Sequence, residues 1–276
     1  MSTHTAVILT ALPVEYDAVR AQLTGDVEEL VHDDGTRVET GRLDGTSWRL
    51  AVAELGEGAV NAAALTTGII GWLKPQVLLF VGVAGGLKDD IALGDVVVGT
   101  KVYAVHGGKV TEEGFHARPE AWRGSHRLVQ AARSALRDLT DVRGHLKPIA
   151  CGDVVLADDR SGFADHIRRN YNDACAIEME GSGAAHAAHL NGRLDALVIR
   201  GISDRADAGK QMSDVSGSQE RAAERAAKVA MAVLRKQGPR DASSTAVHGG
   251  DHIDFRGGTF HGPVIGKKVG PDGGRG

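Results

Sequence analysis

The sequence is poor in cysteine, in excess basic charge and in long apolar runs. Its two cysteines, Cys151 and Cys175, lack the spacing of a metal site and are expected to be core residues in a reducing compartment. The 32 lysines and arginines do not outnumber the 36 aspartates and glutamates, which argues against nucleic acid or an anionic membrane as partner. The longest apolar run near the start, residues 6–12, is too short for a membrane span or a signal-peptide core. We therefore expect a cytoplasmic protein with a small-molecule partner and no metal or organic cofactor.

Two nucleotide-binding motifs are also missing. The chain has neither a GxGxxG fingerprint nor a P-loop lysine, which excludes the usual dinucleotide and P-loop sites.

The composition and the secondary-structure pattern predict the fold. The chain has 42% hydrophobic residues over 276 positions, enough for a substantial core. Strand and helix patterns alternate from residue 6 to about residue 236, with helices predicted over 59–73, 125–139 and 218–236. A hairpin over 37–55, with Asp-Gly as its expected two-residue turn, makes the sheet mixed. The pattern predicts an α/β fold with helices on both faces of a mixed, largely parallel sheet.

The most informative stretch is 176–207. A short strand ends in Glu178 and Glu180, a helix follows, and a second strand over 196–202 ends at Ser203 and Asp204. In open parallel α/β sheets, the carboxyl ends of the strands form the binding crevice. These polar side chains are therefore expected to share one site.

The same stretch carries a family resemblance. Residues 177–180 (IEME) and 198–204 (VIRGISD) resemble the two signature segments of the nucleoside phosphorylase and nucleosidase superfamily, most closely its methylthioadenosine/S-adenosylhomocysteine nucleosidase branch. Residues 12–15, 82–87 and 151–156 resemble further segments of that family. The resemblance implies a three-layer αβα sandwich over residues 1–237, commonly a homo-oligomer.

The resemblance also implies roles in breaking a purine N-glycosidic bond. That reaction builds positive charge on the ribose and negative charge on the base, so it needs an acid beside the base and a carboxylate beside water. Asp204 would be the general acid at the purine N7, and Glu15 the general base. Glu180 would bind the ribose hydroxyls. Ser203 and Arg200 would orient Asp204 or neighbouring groups. The positions implied to bind the substrate are Ala84, Gly85, Val155, Met179, Glu180, Arg200 and Ser203.

The sequence departs from the family pattern at several of these segments. Val83 stands where many members have a serine or threonine that contacts sugar or phosphate, and this disfavours phosphorolysis. Val155 replaces a phenylalanine that stacks on the base, and Met212 stands in the segment where another phenylalanine would cover it. From the residues alone, Glu15 is interpreted as a surface glutamate stabilised by a helix dipole, and the family resemblance reverses that interpretation.

Residues 101–122 are polar and glycine-containing, and a surface loop over the pocket is predicted there. Four basic side chains in it could meet a phosphorylated substrate such as AMP or ATP: His106, Lys109, His116 and Arg118. The alternative is an ordinary solvated loop.

The composition changes after residue 237. Residues 238–276 are rich in glycine and are predicted to be a flexible tail. Within it, about 251–268, apolar residues alternate among glycines in a pattern that resembles bacterial amyloid-signalling motifs, which act by homotypic stacking. The alternative is an unstructured tail. Three functions remain open: a purine nucleosidase acting as a signalling or defence effector, a phosphorylase, and a non-catalytic nucleoside sensor recruited through its tail.

Overall fold

A ten-stranded mixed sheet dominates the computed structural model, which describes residues 4–192, 194–206 and 217–240. The strands are β1 (His4–Thr10), β2 (Thr24–Val31), β3 (Arg37–Arg42), β4 (Trp48–Glu54), β5 (Val77–Gly86), β6 (Val96–Ala104), β9 (Glu120–Arg123), β10 (Gly144–Cys151), β11 (Ala176–Glu178) and β12 (Asp195–Asp204). A separate hairpin is formed by β7 (Gly108–Thr111) and β8 (Gly114–Ala117).

Helices cover both faces of the sheet. They are α1 (Pro13–Arg20), α2 (Ala59–Leu73), α3 (His126–Asp138), α4 (Gly162–Asn170), α5 (Gly181–Leu190) and α6 (Ser218–Lys236). Alternate residues of β5 enter different cores, because successive side chains of a strand point to opposite faces. Leu79 and Val81 belong to the core that includes α1, α3 and α6 residues, whereas Leu78 and Phe80 belong to the core shared with α2 and α5. This is the three-layer α/β arrangement expected from the sequence.

The order of the strands brings the functional segments together. The sheet runs β11-β10-β6-β12-β5-β1-β4-β3-β2, with β9 beside β6. Strands β12, β5, β1 and β4 are parallel neighbours, so their carboxyl ends lie along one edge. In addition, β11 pairs antiparallel with β5 as well as parallel with β10, which closes five strands into a small barrel. That closure places the end of β11 beside the ends of β5 and β12.

Several sequence predictions of local structure are confirmed. Helices α2 and α6 have the predicted bounds, and α3 begins one residue later and ends one residue earlier than predicted. The apolar residues that recur at helical spacing in α6 are all buried. They are Ala222, Ala226, Val229, Ala230 and Val233.

Other predictions of local structure are wrong. The β3–β4 connection is longer than two residues, because Leu43 still pairs with Trp48 and Thr46 bonds back to Leu43, which leaves four residues in the turn. Residues 101–122 are not a loop but the end of β6, the β7–β8 hairpin and part of β9. Strand β2 and helix α4 were not predicted.

Some predictions concern parts of the chain outside the described residues. These are Met212 as a cover for the base and the candidate interaction motif at 251–268. Within the described part, no helix is both long and apolar enough to cross a membrane.

Candidate active site

A cleft of about 180 Å³ lies at the carboxyl ends of β1, β5, β11 and β12. Eight of the nine predicted site residues line it: Glu15, Ala84, Gly85, Val155, Met179, Glu180, Ser203 and Asp204. The ninth, Arg200, is fully buried behind the wall of the cleft. Residues separated by up to 189 positions in the sequence therefore meet at one place.

Glu15 is held at the start of α1. Pro13 occupies the first turn of this helix, and the carboxylate folds back to accept hydrogen bonds from the backbone amides of Ala11 (2.8 Å) and Leu12 (3.0 Å). Its other oxygen accepts a hydrogen bond from the amide of Val83, at 2.7 Å. At 2% exposure Glu15 is buried, so the interpretation of this residue as a surface glutamate is wrong.

Arg200 lies among three glutamates. Its guanidinium donates a short hydrogen bond to Glu178 and lies 3.8 Å from Glu15 and 3.6 Å from Glu180. The ring of Phe80 packs against it, 4.5 Å from the guanidinium carbon. Burial disfavours the charge of Arg200, but the three carboxylates outweigh it and hold the pKa above its ordinary value. Within the described structure, Nε and Nη1 of Arg200 have no hydrogen-bond acceptor.

Glu180 has a different environment from the other two glutamates. One of its oxygens accepts a hydrogen bond from the amide of Gly58, at 3.0 Å. Burial raises the pKa of Glu180 to about 7, with Arg200 opposing the rise and the charge of Glu178 adding to it. Glu180 is therefore a carboxyl group that titrates near neutral pH at the wall of the cleft.

Asp204 ends β12 and is held from two sides. The hydroxyl of Ser203 donates to one carboxylate oxygen at 2.9 Å, and the amide of Ala206 donates to the other at 2.8 Å. Asp204 is 1% exposed and lines the cleft together with Ala206. These bonds orient the carboxyl group without involving Arg200, which the structure places with the glutamates instead.

The glycines of β5 allow the two halves of the site to approach each other. A side chain at Gly82 would collide with Arg200 and Glu15, and a side chain at Gly85 would come within 2.9 Å of Asp204 and Ala206. The glycines therefore make room for the site's own ionisable side chains.

A second, larger cavity of about 260 Å³ lies between α5, β9 and the sheet. Its described lining is mainly apolar, includes Trp122, Arg123 and His189, and contains no carboxylate. Acid–base chemistry on a glycosidic bond needs carboxyl groups, so the smaller cleft is the candidate active site.

Comparison with known protein families identifies the superfamily of the chain. A family model described as the phosphorylase superfamily matches residues 5–235. The chain belongs to the phosphorylase superfamily. The match extends from β1 to the end of α6 and so includes every residue of the candidate site.

Solved structures of superfamily members are similar over most of the chain. The 5′-methylthioadenosine/S-adenosylhomocysteine nucleosidase of Neisseria meningitidis, in complex with methylthio-immucillin-A, is 26% identical, with a TM-score of 0.73 over 83% of this chain and 97% of that one. The same enzyme from S. pneumoniae is 27% identical, with a TM-score of 0.74 over 84% and 99%. The nucleosidase of Colwellia psychrerythraea in complex with adenine is 25% identical, with a TM-score of 0.75 over 85% and 96%.

Not every candidate residue of this superfamily member reaches the cleft. His106, Lys109, His116 and Arg118, which were the basis for expecting a phosphorylated substrate, are absent from its described lining. Lys109 and His116 pair across the β7–β8 hairpin instead. Conversely, the cleft includes Glu57 and Gln219, which the sequence did not single out. The sequence signal for Glu57 was a carboxylate between two glycines before a helix.

Proposed function

We propose that this chain hydrolyses the N-glycosidic bond of a purine nucleoside and releases the free base. The observation that carries the proposal is the division of carboxyl groups in one cleft. Asp204 lies at the end of β12, Glu15 lies at the start of α1, and Glu180 is bonded to the connection that follows β4. This arrangement supplies separate groups for the base, the water and the sugar.

Asp204 acts on the base. With the carboxyl group oriented by Ser203 and Ala206, its protonated form donates a proton to the purine N7 as the bond between C1′ and N9 breaks. The electron pair of that bond goes to N9, and because N7 has gained a proton the base departs as a neutral molecule. Gly85, which has no side chain, and Val155, which is 52% exposed, line the cleft and leave room for the base.

Glu180 acts on the sugar. One carboxylate oxygen, 3.6 Å from Arg200, accepts hydrogen bonds from the ribose hydroxyls, while the other oxygen still accepts the hydrogen bond from the amide of Gly58. Met179 packs against the ribose from the same wall. In its ionised form, Glu180 places negative charge beside the ring, and this charge stabilises the oxocarbenium-like sugar of the transition state.

Glu15 acts on the water. The water oxygen bonds to C1′, and one of its protons passes to Glu15, which three backbone amides hold in place. Arg200, 3.8 Å away, balances the charge of this carboxylate and serves as a positioning residue. The products are the free base and the free sugar.

Two observations favour hydrolysis over phosphorolysis. Val83 offers no hydroxyl to a phosphate, and the described lining of the cleft contains no lysine, arginine or histidine. Adenine bound to the similar Colwellia nucleosidase supports a purine as the base.

The remaining parts of the proposal concern the cellular role. We propose that residues 1–237 form the catalytic domain of a cytoplasmic homo-oligomer. Residues 238–276 form a tail, and the motif at 251–268 in this tail recruits the catalytic domain as an effector. A charged substitution such as Ile253→Asp is expected to abolish self-association of the tail, measured by sedimentation of the full chain. A nucleoside sensor recruited through the same tail is the second candidate function.

Free adenine release, followed by chromatography, tests the catalytic proposal. The substrates are methylthioadenosine, S-adenosylhomocysteine, adenosine, AMP and ATP, each with and without phosphate. We expect phosphate-independent release that falls by about 10²–10⁴-fold in Asp204→Asn, because the general acid is lost. Asp44→Asn, in the exposed β3–β4 turn, is the matched control and should retain wild-type rates. Release that requires phosphate would identify a phosphorylase, and binding without release would identify a sensor.

A further inference from the structure

We propose that Glu57 makes the cleft selective for nucleosides whose 5′ substituent carries a positive charge, and against 5′-phosphates. The inference rests on the proposed function and deepens it, because it names the substrate class of the same site. The observations that carry it are the position of Glu57 along the sheet edge, its freedom to bind a ligand and the charges around it.

The position follows from the strand order. Asp204 ends β12, and Glu57 follows β4, with β5 and β1 between these two strands. At about 4.8 Å between neighbouring strands, three steps separate the two carboxyl groups by roughly 14 Å along the edge. Glu180 lies between them, because its carboxylate accepts a hydrogen bond from Gly58, the residue after Glu57, and lies 3.6 Å from Arg200 of β12. A nucleoside with its base at Asp204 and its ribose at Glu180 therefore extends its 5′ substituent toward Glu57.

The backbone presents Glu57 to the cleft. Gly56 and Gly58 flank it with φ values of 75° and 97°, which side-chain-bearing residues rarely adopt. Glu57 lines the cleft and is exposed to solvent. No hydrogen bond or ion pair to its carboxylate occurs within the described structure, and its backbone carbonyl accepts a hydrogen bond from the side-chain amide of Asn61. The carboxylate is thus available to a ligand.

The backbone amides that would bind a phosphate beside Glu57 already donate hydrogen bonds to carboxylates of the protein. The N-terminus of α2 lies next to Glu57, and helix N-termini are common phosphate sites. Here the amide of Gly58 donates to Glu180 and the amide of Ala59 donates to Asp153, at 3.0 and 3.1 Å. Two carboxylates therefore occupy the position that an anion would take.

Positive charge is also scarce near Glu57. The described lining of the cleft has five acidic residues and no lysine, arginine or histidine. Arg200 is fully buried and committed to the glutamates, so it cannot reach a 5′ group. A phosphate would meet repulsion at this end of the cleft, whereas a primary ammonium group would meet an unoccupied carboxylate.

The test compares two adenosine thioethers of similar length and opposite charge. One carries a 5′-(3-aminopropylthio) group and the other a 5′-(2-carboxyethylthio) group, with AMP as a third probe. The readout is the ratio of kcat/KM for adenine release from the ammonium probe to that from the carboxylate probe. Wild type should favour the ammonium probe by about tenfold, because attraction and repulsion at a partly exposed charge each contribute a few-fold.

The variants make the test specific. Glu57→Gln should bring the ratio close to one, and Glu57→Lys should invert it and allow AMP to react. Glu54→Gln removes the same charge from an exposed residue three positions earlier, outside the described lining, and should keep the wild-type ratio. High salt should reduce the wild-type ratio, because Glu57 is exposed.

The outcomes separate this inference from the proposed function. Adenine release with a ratio near one in wild type, or equal ratios in wild type and Glu57→Gln, would overturn the role of Glu57 and leave the nucleosidase intact. If no probe releases adenine, the proposed function fails, and dissociation constants of the two charged probes, measured by calorimetry, replace the rates. The same tenfold preference in binding would support Glu57 as the selecting residue, and equal affinity or no binding would overturn it.

Discussion

The floor of the cleft and its rim are built by different means. Glu15 and Asp204 on the floor, and Arg200 directly behind it, are at most 2% exposed. Backbone amides or partner side chains fix each of them. On the rim, Val155 is 52% exposed and Glu57 is exposed as well. The floor is thus rigid and charged, whereas the rim offers side chains that can change without disturbing the core.

This difference separates two kinds of selection. A side chain on the floor is tied to its neighbours, so replacing one leaves another charge buried and unpaired. A side chain on the rim contacts solvent on one side, so its replacement alters only the ligand it meets. We expect chemistry to be determined by the floor and substrate choice by the rim.

The largest expected effect is the loss of Arg200. Arg200→Met removes the positive charge that faces three buried glutamates, and we expect unfolding to become easier by about 3–5 kcal/mol, as when one partner of a buried ion pair is removed. Denaturant unfolding measures it. The control, Arg49→Met, breaks an exposed pair with Glu28 and should cost at most about 1 kcal/mol. Equal losses in both variants would contradict the distinction between buried and exposed charge clusters.

The next effect concerns Glu180 and pH. The folded protein holds a proton on this group up to about pH 7, whereas its ordinary pKa is 4.5. Between those values the unfolded chain binds fewer protons, so stability falls as pH rises. The free energy of unfolding of the wild type should fall by an amount on the order of 2–3 kcal/mol as pH rises through that window, whereas that of Glu180→Gln should not. Denaturant unfolding at pH 4.5, 6 and 8 measures both proteins.

A control separates this effect from other groups that titrate in the same range. Glu54→Gln changes an exposed glutamate and should keep the wild-type dependence of stability on pH. If Glu180→Gln also keeps it, Glu180 is not the group that holds the proton.

The smallest effect concerns the rim. Val155→Phe adds an aromatic ring beside the expected base, and we expect adenine to bind more tightly by about 0.5–1.5 kcal/mol through stacking. Calorimetric titration with adenine measures the gain. Val110→Phe adds the same ring to an 80% exposed position in the β7–β8 hairpin, outside the described lining, and should leave the affinity unchanged. A weaker affinity in Val155→Phe would place the base elsewhere in the cleft.

Much of the fold was predictable because it follows from local patterns. Three features depend only on residues that are close together in the sequence. They are the apolar spacing of α6, the end of α2 before Lys74 and the buried apolar run of β5. Strand β9 was mispredicted because its pairing partner, β6, lies elsewhere in the chain. The β3–β4 turn and the β7–β8 hairpin were mispredicted although their partners are local. Short polar strands carry little periodic signal of their own.

The sequence by itself determined the fold class and the two segments that end in Glu180 and Asp204, since strand patterns and short motifs are local properties. Only the tertiary structure decided that Arg200 serves the glutamates rather than Asp204, that Glu15 is buried, and that Glu57 faces the same cleft. These facts depend on contacts across long separations, such as the bond between Gly58 and Glu180, 122 residues apart. Sheet order and barrel closure create such contacts, and no local pattern encodes them.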